Sequence, residues 1–392
     1  MVRLQTISPL SPEELKNLHF SWNENQDQSD YDMEHLVQIN ENELENYYNA
    51  ANEIYDMYVE AAEYVVENDL FFDLGIPFNL IDAIKKSWEN DVHWHIYGRF
   101  NFSGGIDGKP IKLLGFEADA ANLLYETAVI QTNLLNKNHI ALEKHFNNSY
   151  EAITNNFKRL ITLFDELDTF DQRYDGWKIL FSSFADNEED EVSTKFLQQM
   201  ASEAGFETSF EFLEKTQFDE NGIYDSNSNP YEYWFKFYPW EEIAHNEPEL
   251  ATTLTNIMND QKAIIINPAY TLLFQSKGMM KILYDLFEDS PYLLETSFEP
   301  VENMQQIEKP VFGKNDSNAK LYDFNARVVD EIDGEYSNYK NIYQEYVDLP
   351  KDSEGFQYET SVLFAYEACG LGFQKKETRL SQTRRFVGHI ID

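Results

Sequence analysis

The chain has 392 residues, 42 % of them hydrophobic, and a formal net charge of −40. The apolar content predicts two or three folded domains and excludes global disorder, whereas the acidic charge would repel phosphates and argues against binding to DNA or RNA. No apolar run reaches the length of a membrane span, the N-terminus lacks the apolar core of a signal peptide, and the single cysteine, Cys369, excludes an intramolecular disulfide, so we expect a cytoplasmic protein that binds no membrane.

The N-terminal segment, residues 1–90, is predicted to be helical. Apolar side chains recur between residues 42 and 66 at the spacing of an amphipathic helix, and residues 75–89 suggest a second helix. A hairpin with polar residues in its strands follows at about residues 94–118, and a helix at about 120–136. Residues 91–136 are therefore expected to form one structural unit.

The middle of the chain, residues 137–268, alternates predicted helices and strands, which favours an α/β region. Three consecutive isoleucines at 264–266 suit a strand that is buried on both faces. The next apolar stretch, residues 272–287, is predicted to be one helix. After residue 291 the strands become shorter and the loops richer in turn residues, which is typical of an α+β fold, so residues 269–392 are treated as a separate region.

Acidic residues are spread along the whole chain, and the densest short run, residues 186–191, is predicted to lie in a loop. This spread favours a role of the charge in solubility. The alternative is that the negative surface attracts a cationic substrate such as a polyamine.

The hairpin carries polar side chains where a buried strand would carry apolar ones. Side chains of a strand alternate between its faces, so Arg99 and Asn101 share one face. A turn centred near Gly108 would place Glu117 across from Arg99, and Gly115 across from Asn101. Carboxylate and amide oxygens suit a hard cation, and a guanidinium suits phosphate. The pattern fits two interpretations equally well. One is a site for a nucleotide and a metal ion, and the other is a cross-strand ion pair on a solvent-exposed sheet face.

Seven sequence blocks give a more specific interpretation, because they occur in the order seen in the glutathionylspermidine synthase family. They are "YGRFNF", "IKLLGFEADAANLLYETA", "INPAYTLLFQSKGMMKIL", "LLETSFEP", "EKPVFG", "IYQEY" and "GLGFQ…RFVGHI". The chain resembles the synthetase part of that family from about residue 91 to residue 392, and no amidase domain is expected. The resemblance implies an ATP-grasp fold of mixed α+β and α/β character, with its hairpin and helix at 91–136, a pre-ATP-grasp-like region at 137–268, and its lid and C-terminal core at 269–392.

The resemblance also implies a reaction and its residues. The family joins a carboxylate to an amine, using ATP and Mg²⁺ to form an acyl phosphate, so small-molecule or peptide carboxylates and amines are the expected partners. Arg99 resembles the catalytic arginine, and Asn101 and Glu117 stand at metal-ligand positions. The residues that resemble ATP contacts are Lys277, Lys309, Lys314, Gln344, Glu345, Tyr346 and Val347. The residues that resemble substrate contacts are Asp119, Glu188, Glu189, Asp190 and Gln374.

Departures from the family pattern fall at these same positions. A family Arg-x-Asp is Arg99-Phe100-Asn101 here, and a family Glu-x-Asn-x-Asp begins with Gly115. A family arginine after "GLGF" is Gln374, and the neighbouring Lys375 and Lys376 are expected to point elsewhere. Two interpretations follow: a working ligase with an altered pocket, or a catalytically impaired relative that acts as a binding or regulatory partner.

Overall fold

The computed structural model describes residues 1–20 and 31–392. The helices of this part are α1 (Pro12–Asn17), α2 (Glu41–Glu67), α3 (Ile81–Trp88), α4 (Gln131–Lys137), α5 (Ser149–Thr162), α6 (Phe170–Arg173), α7 (Glu188–Ala204), α8 (Trp240–Asn246), α9 (Pro248–Asn259), α10 (Thr271–Gln275) and α11 (Met279–Leu286). A π-helical turn, Glu126–Ile130, leads into α4. No helix of the described residues is both long and apolar enough to cross a bilayer.

The strands of the described residues form four sheets. In chain order they are β1 (Arg3–Thr6), β2 (Tyr31–Ile39), β3 (Gly98–Ser103), β4 (Lys112–Glu117), β5 (Lys178–Ser182), β6 (Glu207–Phe210), β7 (Gln217–Asp219), β8 (Gly222–Tyr224), β9 (Pro230–Tyr231), β10 (Tyr233–Lys236), β11 (Ile264–Ile266), β12 (Thr296–Ser297), β13 (Gln306–Pro310), β14 (Lys320–Tyr322), β15 (Val328–Glu331), β16 (Asn341–Glu345), β17 (Gln357–Ala365), β18 (Glu367–Lys376) and β19 (Arg385–Ile391). This mixture of helices and several sheets confirms the predicted mixed α/β class.

The largest sheet has seven strands in the order β1-β2-β19-β18-β17-β3-β4. Neighbouring strands are antiparallel except β2 and β19, which run parallel. Helix α2 packs on this sheet with one apolar stripe, as its predicted period required. Two strands of the sheet, β1 and β2, come from residues 1–90, so the expectation of a purely helical N-terminal segment is corrected. The domain boundaries themselves remain predictions.

The second sheet is parallel and has the order β11-β10-β5-β6. Its strands and the helices between them confirm the α/β character predicted for the middle of the chain. Ile265 packs into the core on one face of the sheet, and Ile266 into the core on the other face. The isoleucine strand is therefore covered on both sides, as expected from its continuous apolar sequence. The remaining sheets have five strands, β12-β16-β13-β14-β15, and three strands, β7-β8-β9.

The single helix predicted for residues 272–287 is wrong, because the chain leaves the helical path between α10 and α11. Ser276 Oγ donates to the carbonyl of Leu74 at 2.7 Å, and the backbone N–H of Lys277 donates to the carbonyl of Val311 at 2.8 Å. A Cβ at Gly278 would lie 3.1 Å from the Cα of Leu74, so the tight approach suits glycine. These distant contacts stop α10 and place Lys277 at the break.

The loop predicted at residues 186–191 is also corrected, because Glu188–Glu191 form the first turn of α7. Asn187 caps this helix by accepting a hydrogen bond from the backbone N–H of Asp190 at 3.1 Å. Acidic side chains in a first turn are stabilised by the positive end of the helix dipole. The other end of α7 matches its prediction, since Gly205 adopts φ +109° in the left-handed region and ends the helix.

Candidate functional site

The hairpin β3–β4 has the register predicted for it. Arg99 lies opposite Glu117, and Asn101 lies opposite Gly115. On the other face Phe100 and Phe116 stack with ring centroids 3.9 Å apart and belong to the main core. Strand alternation therefore directs Arg99, Asn101, Gly115 and Glu117 to the opposite face of the hairpin, where they line a cavity.

Arg99 is 5 % exposed and has weak partners for a buried cation. Its Nη2 lies 3.5 Å from a carboxylate oxygen of Glu117, and its Nη1 donates to Ser361 Oγ at 3.5 Å. Its Nε is buried and has no hydrogen-bond partner among the described residues. Burial lowers the pKa of Arg99, an effect that the charge of Glu117 opposes. A buried guanidinium with a free N–H group favours the approach of an anion.

The first cavity, of about 110 Å³, has more basic than acidic side chains in its lining and is called the basic chamber. Its charged lining among the described residues comprises six cations against four carboxylates. The cations are Arg99, Lys277, Lys309, Lys376, Arg379 and Arg384, and the carboxylates are Glu117, Asp316, Glu345 and Glu359. A cationic cavity in a chain of net charge −40 indicates an anionic ligand such as a phosphate group.

Six of the seven residues that resemble ATP contacts line this chamber: Lys277, Lys309, Gln344, Glu345, Tyr346 and Val347. Lys309 Nζ donates to Gln344 Oε1 at 2.9 Å and to the carbonyl of Leu114 at 3.0 Å. Lys277 Nζ donates to the carbonyl of Gly313 at 2.6 Å. The structure thus brings β4, β13, β16 and the α10–α11 break together around one space, although the roles of these residues remain predictions.

The protonated form of Lys309 is disfavoured in the basic chamber. Burial, and secondly the charge of Lys277, lower the pKa of Lys309 to about 7. A phosphate placed between the two ammonium groups would offset both effects, because it neutralises their repulsion and replaces lost solvation. The pair therefore favours a strongly anionic occupant.

The second cavity, of about 620 Å³, has more carboxylates than cations in its lining and is called the acidic chamber. The carboxylates that line it are Glu117, Glu126, Asp186, Glu189, Asp190 and Glu242, and the cations among its described residues are Arg99, Lys314 and Arg384. Arg99, Glu117, Asn315 and Arg384 line both chambers. The two spaces therefore meet at the polar face of the hairpin, one suited to an anion and the other to a cation.

Burial makes the acidic chamber responsive to pH. It raises the pKa of Asp190 to about 6, although the charge of Lys314 lowers it in part. It also raises the pKa of Glu126, whose Oε1 accepts a hydrogen bond from the Tyr31 hydroxyl at 2.8 Å. A bound cation would favour the ionised form of both carboxyl groups.

Not every residue that was predicted to contact ATP or substrate lines the chamber that suits that role. Lys314 lines the acidic chamber instead of the basic one, and its Nζ lies 3.3 Å from Glu242. Glu189, Asp190 and Gln374 line the acidic chamber, but Glu188 is not part of either lining. Gln374 donates to Ser361 Oγ at 2.8 Å and to Asn101 Oδ1 at 3.4 Å, so it faces the hairpin.

Asp119, predicted to contact substrate, lies outside both linings in a buried ion pair. It is 1 % exposed and accepts from Lys236 Nζ at 2.8 and 3.0 Å, while Lys236 is fully buried. The backbone N–H of Trp240 donates to the same carboxylate at 2.7 Å. These contacts give Asp119 a structural role, joining the end of β4 to β10 and α8.

Removing one partner of this pair is expected to destabilise the fold. Lys236→Met would leave the Asp119 carboxylate buried without its cation, and we expect a loss of about 3–5 kcal/mol in the free energy of unfolding. Urea unfolding measures this loss, with the exposed Lys262→Met as the matched control. Adding Asp119→Asn to Lys236→Met should recover part of it, whereas a stability equal to that of Lys262→Met would contradict the structural role.

The donor set on the hairpin fits Mg²⁺ only in combination with a phosphorylated ligand. Among residues 1–20 and 31–392, no three His, Cys, Asp or Glu side chains are placed to share a metal ion. Glu117 offers one carboxylate and Asn101 one amide oxygen, and a Cβ at Gly115 would meet no heavy atom within 4 Å, so space is available beside them. Mg²⁺ commonly takes one or two carboxylates and completes its shell with waters and phosphate oxygens.

Sequence reasoning missed a second set of charges in the basic chamber. Lys376 does not point away: it lies two residues from Gln374 on β18, so strand alternation places both side chains on one face, whereas Lys375 contacts Asp32 on the other side. Lys376 and Arg384 form ion pairs with Asp316 and Glu359. The run "TRLSQTRRF" after Gln374, rich in arginine, was the available signal.

The basic chamber and the acidic chamber thus meet at a buried arginine, Arg99, in a mixed α/β fold. Comparison with known proteins assigns the family. The family model described as "Glutathionylspermidine synthase preATP-grasp" matches residues 2–392, and the chain belongs to this family, which confirms the resemblance seen in the seven sequence blocks.

The individual relatives are distant. The chain is 25 % identical over 340 residues to the bifunctional glutathionylspermidine synthetase/amidase of Escherichia coli (strain K12), an alignment that covers 81 % of this chain and 52 % of that protein. It is 21 % identical over 278 residues to glutathionylspermidine synthase of Crithidia fasciculata, covering 64 % of this chain and 37 % of that protein. The chain thus spans about half the length of the bacterial relative and a smaller share of the Crithidia protein.

A solved structure supports the fold alone. The apo form of a glutathione synthetase-like effector from Globodera pallida superposes with a TM-score of 0.55 at 9 % identity, covering 99 % of this chain and all of that one. The mixed α/β architecture is therefore shared with glutathione synthetase-like proteins.

Proposed function

We propose that this chain is an ATP-dependent carboxylate–amine ligase of the ATP-grasp fold, joining a peptide-like carboxylate to a polyamine-like amine. The observation that carries the proposal is the junction of the basic and acidic chambers at Arg99 and Glu117. The basic chamber suits the negatively charged phosphoryl donor, the acidic chamber suits the cationic amine, and the two chambers meet at one point. The names of the relatives, which are synthetases of glutathionylspermidine, suggest glutathione-like and spermidine-like substrates.

In the first step the nucleotide lies in the basic chamber. Lys277 and Lys309 bind its phosphates, and Tyr346 and Val347 lie at the adenine end. An oxygen of the substrate carboxylate forms a bond to the terminal phosphorus, the bond from that phosphorus to the bridging oxygen breaks, and ADP leaves. Arg99 stabilises the charge that spreads over the transferring phosphoryl oxygens. Mg²⁺ held by Glu117 and Asn101 would neutralise phosphate charge.

In the second step the amine reaches the acyl phosphate from the acidic chamber. Its nitrogen forms a bond to the acyl carbon, the bond from that carbon to the phosphate oxygen breaks, and phosphate leaves. The attacking ammonium first loses one proton to become a neutral, nucleophilic amine and loses a second as the amide forms; a carboxylate of the acidic chamber accepts one of these protons and the departing phosphate accepts the other. Glu189 and Asp190 hold the remaining positive charges of the amine.

The proposal is tested by nucleotide binding followed by turnover. Calorimetry of ATP in the presence of Mg²⁺ measures binding, and ADP release with pairs drawn from a set of peptides and polyamines measures ligation. We expect ATP to bind and ADP release to require both an acid and an amine. Absence of ATP binding would contradict the proposal.

A second candidate function is that of an impaired relative that binds a protein partner. It is favoured by one observation: Asn101 Oδ1 already accepts hydrogen bonds from Ser361 Oγ at 3.3 Å and from Gln374 at 3.4 Å. A network of neutral side chains thus stands where the family resemblance implies charges. ATP binding without ADP release under any acid–amine pair would support this candidate.

The acidic chamber should bind a polyamine more tightly as pH rises through 6. The pKa of Asp190 lies near 6, so raising the pH from 5 to 7 adds a negative charge while alkylammonium groups stay protonated. We expect about a fivefold gain in spermidine affinity, corresponding to an interaction of roughly 1 kcal/mol, measured by calorimetry. Asp190→Asn should flatten the profile and Glu191→Gln, its neighbour paired with Lys195, should keep it; equal profiles for the two variants would count against the assignment.

A further inference from the structure

A carboxylate of the chain occupies a cationic pocket at the border of the two chambers. Asp316, in the loop between β13 and β14, has Oδ1 2.9 Å from Arg384 Nη2 and Oδ2 3.2 Å from Lys376 Nζ. The backbone N–H of Ser381 donates to Oδ2 at 3.1 Å. A guanidinium, an ammonium and a backbone N–H around one carboxylate form the set of donors that also binds phosphate oxygens.

A second carboxylate, Glu359, holds Lys376 and Arg384 in place from the side of the sheet. Glu359 on β17 contacts Lys376 Nζ at 3.0 Å and also pairs with Arg384 Nη1. Both cations are largely buried, and Arg384 Nε has no hydrogen-bond partner among the described residues. Glu359 therefore orients Lys376 and Arg384 on the sheet side, while Asp316 covers them from the loop side.

The charge of Asp316 depends on this pocket. Burial alone would raise the pKa of Asp316, but the charges of Arg384 and Lys376 hold it well below its ordinary value. The site therefore stabilises an anion in a buried position. The loop that carries Asp316 includes Asn315, which lines both chambers, and Gly313, whose carbonyl accepts from Lys277.

We propose that Lys376 and Arg384 bind the terminal phosphate of the nucleotide, and that Asp316 fills this place until the phosphate displaces it. This inference rests on the proposed ligase function and adds to it the cation that Gln374 cannot supply. Lys376 lies two residues from Gln374 on the same strand face, and Arg384 lies on the adjacent chain segment just before β19, so both positive charges stay beside the same part of the site.

Displacement of Asp316 by the phosphate would also explain why the basic chamber is small in this structure. Its volume of about 110 Å³ is below the ~300–1,000 Å³ of pockets that hold small-molecule ligands. Moving the loop that carries Asp316 would enlarge the chamber and uncover both cations. As the phosphoryl group passes from ATP to the carboxylate oxygen and ADP leaves, Lys376 and Arg384 stay protonated and contribute charge alone.

The test is the discrimination between ATP and ADP, measured by calorimetry with Mg²⁺. For Arg384→Gln we expect ATP affinity to fall at least about tenfold, as for loss of a charged hydrogen bond, with ADP affinity within about threefold of wild type. The matched control is Arg385→Gln, one residue away, whose side chain pairs with Glu377, and it should keep the wild-type ATP-to-ADP ratio. Asp316→Asn should tighten ATP and leave ADP unchanged.

The outcomes separate this inference from the proposed function. Wild-type protein that binds ATP and releases ADP, but whose Arg384→Gln variant keeps the wild-type ATP-to-ADP ratio, overturns the inference and leaves the ligase proposal intact. Wild-type protein that binds neither nucleotide overturns both. If Arg384→Gln does not fold, Arg384→Lys and Asp316→Asn decide: weaker ATP binding in the first and tighter binding in the second support the inference, and any other pair of results overturns it.

Discussion

Replacing Arg99 by methionine is expected to lower ATP turnover by about 10²–10³-fold, the usual effect of removing one group that stabilises charge in a transition state. Arg99 is the cation best placed for this role, because it is buried, lines both chambers and has a free Nε among the described residues. Because Arg99 lines both chambers, a phosphoryl group at their junction would contact its guanidinium from either side. Steady-state ADP release with the best acid–amine pair measures the effect.

The substitution needs a control for folding and for loss of charge in general. Arg327→Met removes an exposed arginine outside both chambers and should leave turnover unchanged. Arg99→Lys keeps the charge but loses the planar fork, so an intermediate loss is expected. Turnover of a folded Arg99→Met variant within threefold of wild type would show that the transferring group does not depend on this guanidinium.

Local sequence rules predicted the parts of the fold that depend on neighbours along the chain. The period of α2, the end of α7 at Gly205 and the register of the β3–β4 hairpin each follow from residues within one or two elements. The hairpin is the informative case, because strand alternation and the turn alone placed Arg99 opposite Glu117. The polar face of the site was therefore predictable from local sequence.

Contacts between distant segments decided what the sequence left open. The break before Gly278 depends on backbone groups of Leu74 and Val311, and the burial of Asp119 depends on Lys236, which lies 117 residues later. Strand alternation alone places Lys376 on the face of Gln374, but its ion pairs with Asp316 and Glu359 depend on distant segments. Asp316 was part of the loop that resembles the family lid, but a loop carries no periodic signal for the direction of its side chains.

The family pattern that this hairpin resembles has carboxylates at positions 101 and 115, where this chain has Asn101 and Gly115, and an amide at position 117, where it has Glu117. Restoring the two carboxylates should strengthen Mg²⁺-dependent nucleotide binding. The structure accommodates both changes in Asn101→Asp/Gly115→Glu. A Cβ at Gly115 would meet no heavy atom within 4 Å, and Gly115 lies directly across from position 101. An aspartate at 101 can accept the hydrogen bonds from Ser361 and Gln374 that Asn101 Oδ1 accepts now.

The sign of the effect should reverse with the metal, which makes the experiment specific. Without Mg²⁺ the added carboxylates repel the phosphates and should weaken ATP binding. With Mg²⁺ they become ligands of a divalent ion, and we expect ATP affinity to rise at least about tenfold over wild type, since a charge a few ångströms from the ion contributes more than ~1 kcal/mol. Calorimetry of ATP with and without Mg²⁺ measures both effects. Gly115→Gln, of the same size without the charge, is the matched control, and an equal Mg²⁺ dependence in the double variant and in this control would show that Mg²⁺ does not bind at the hairpin.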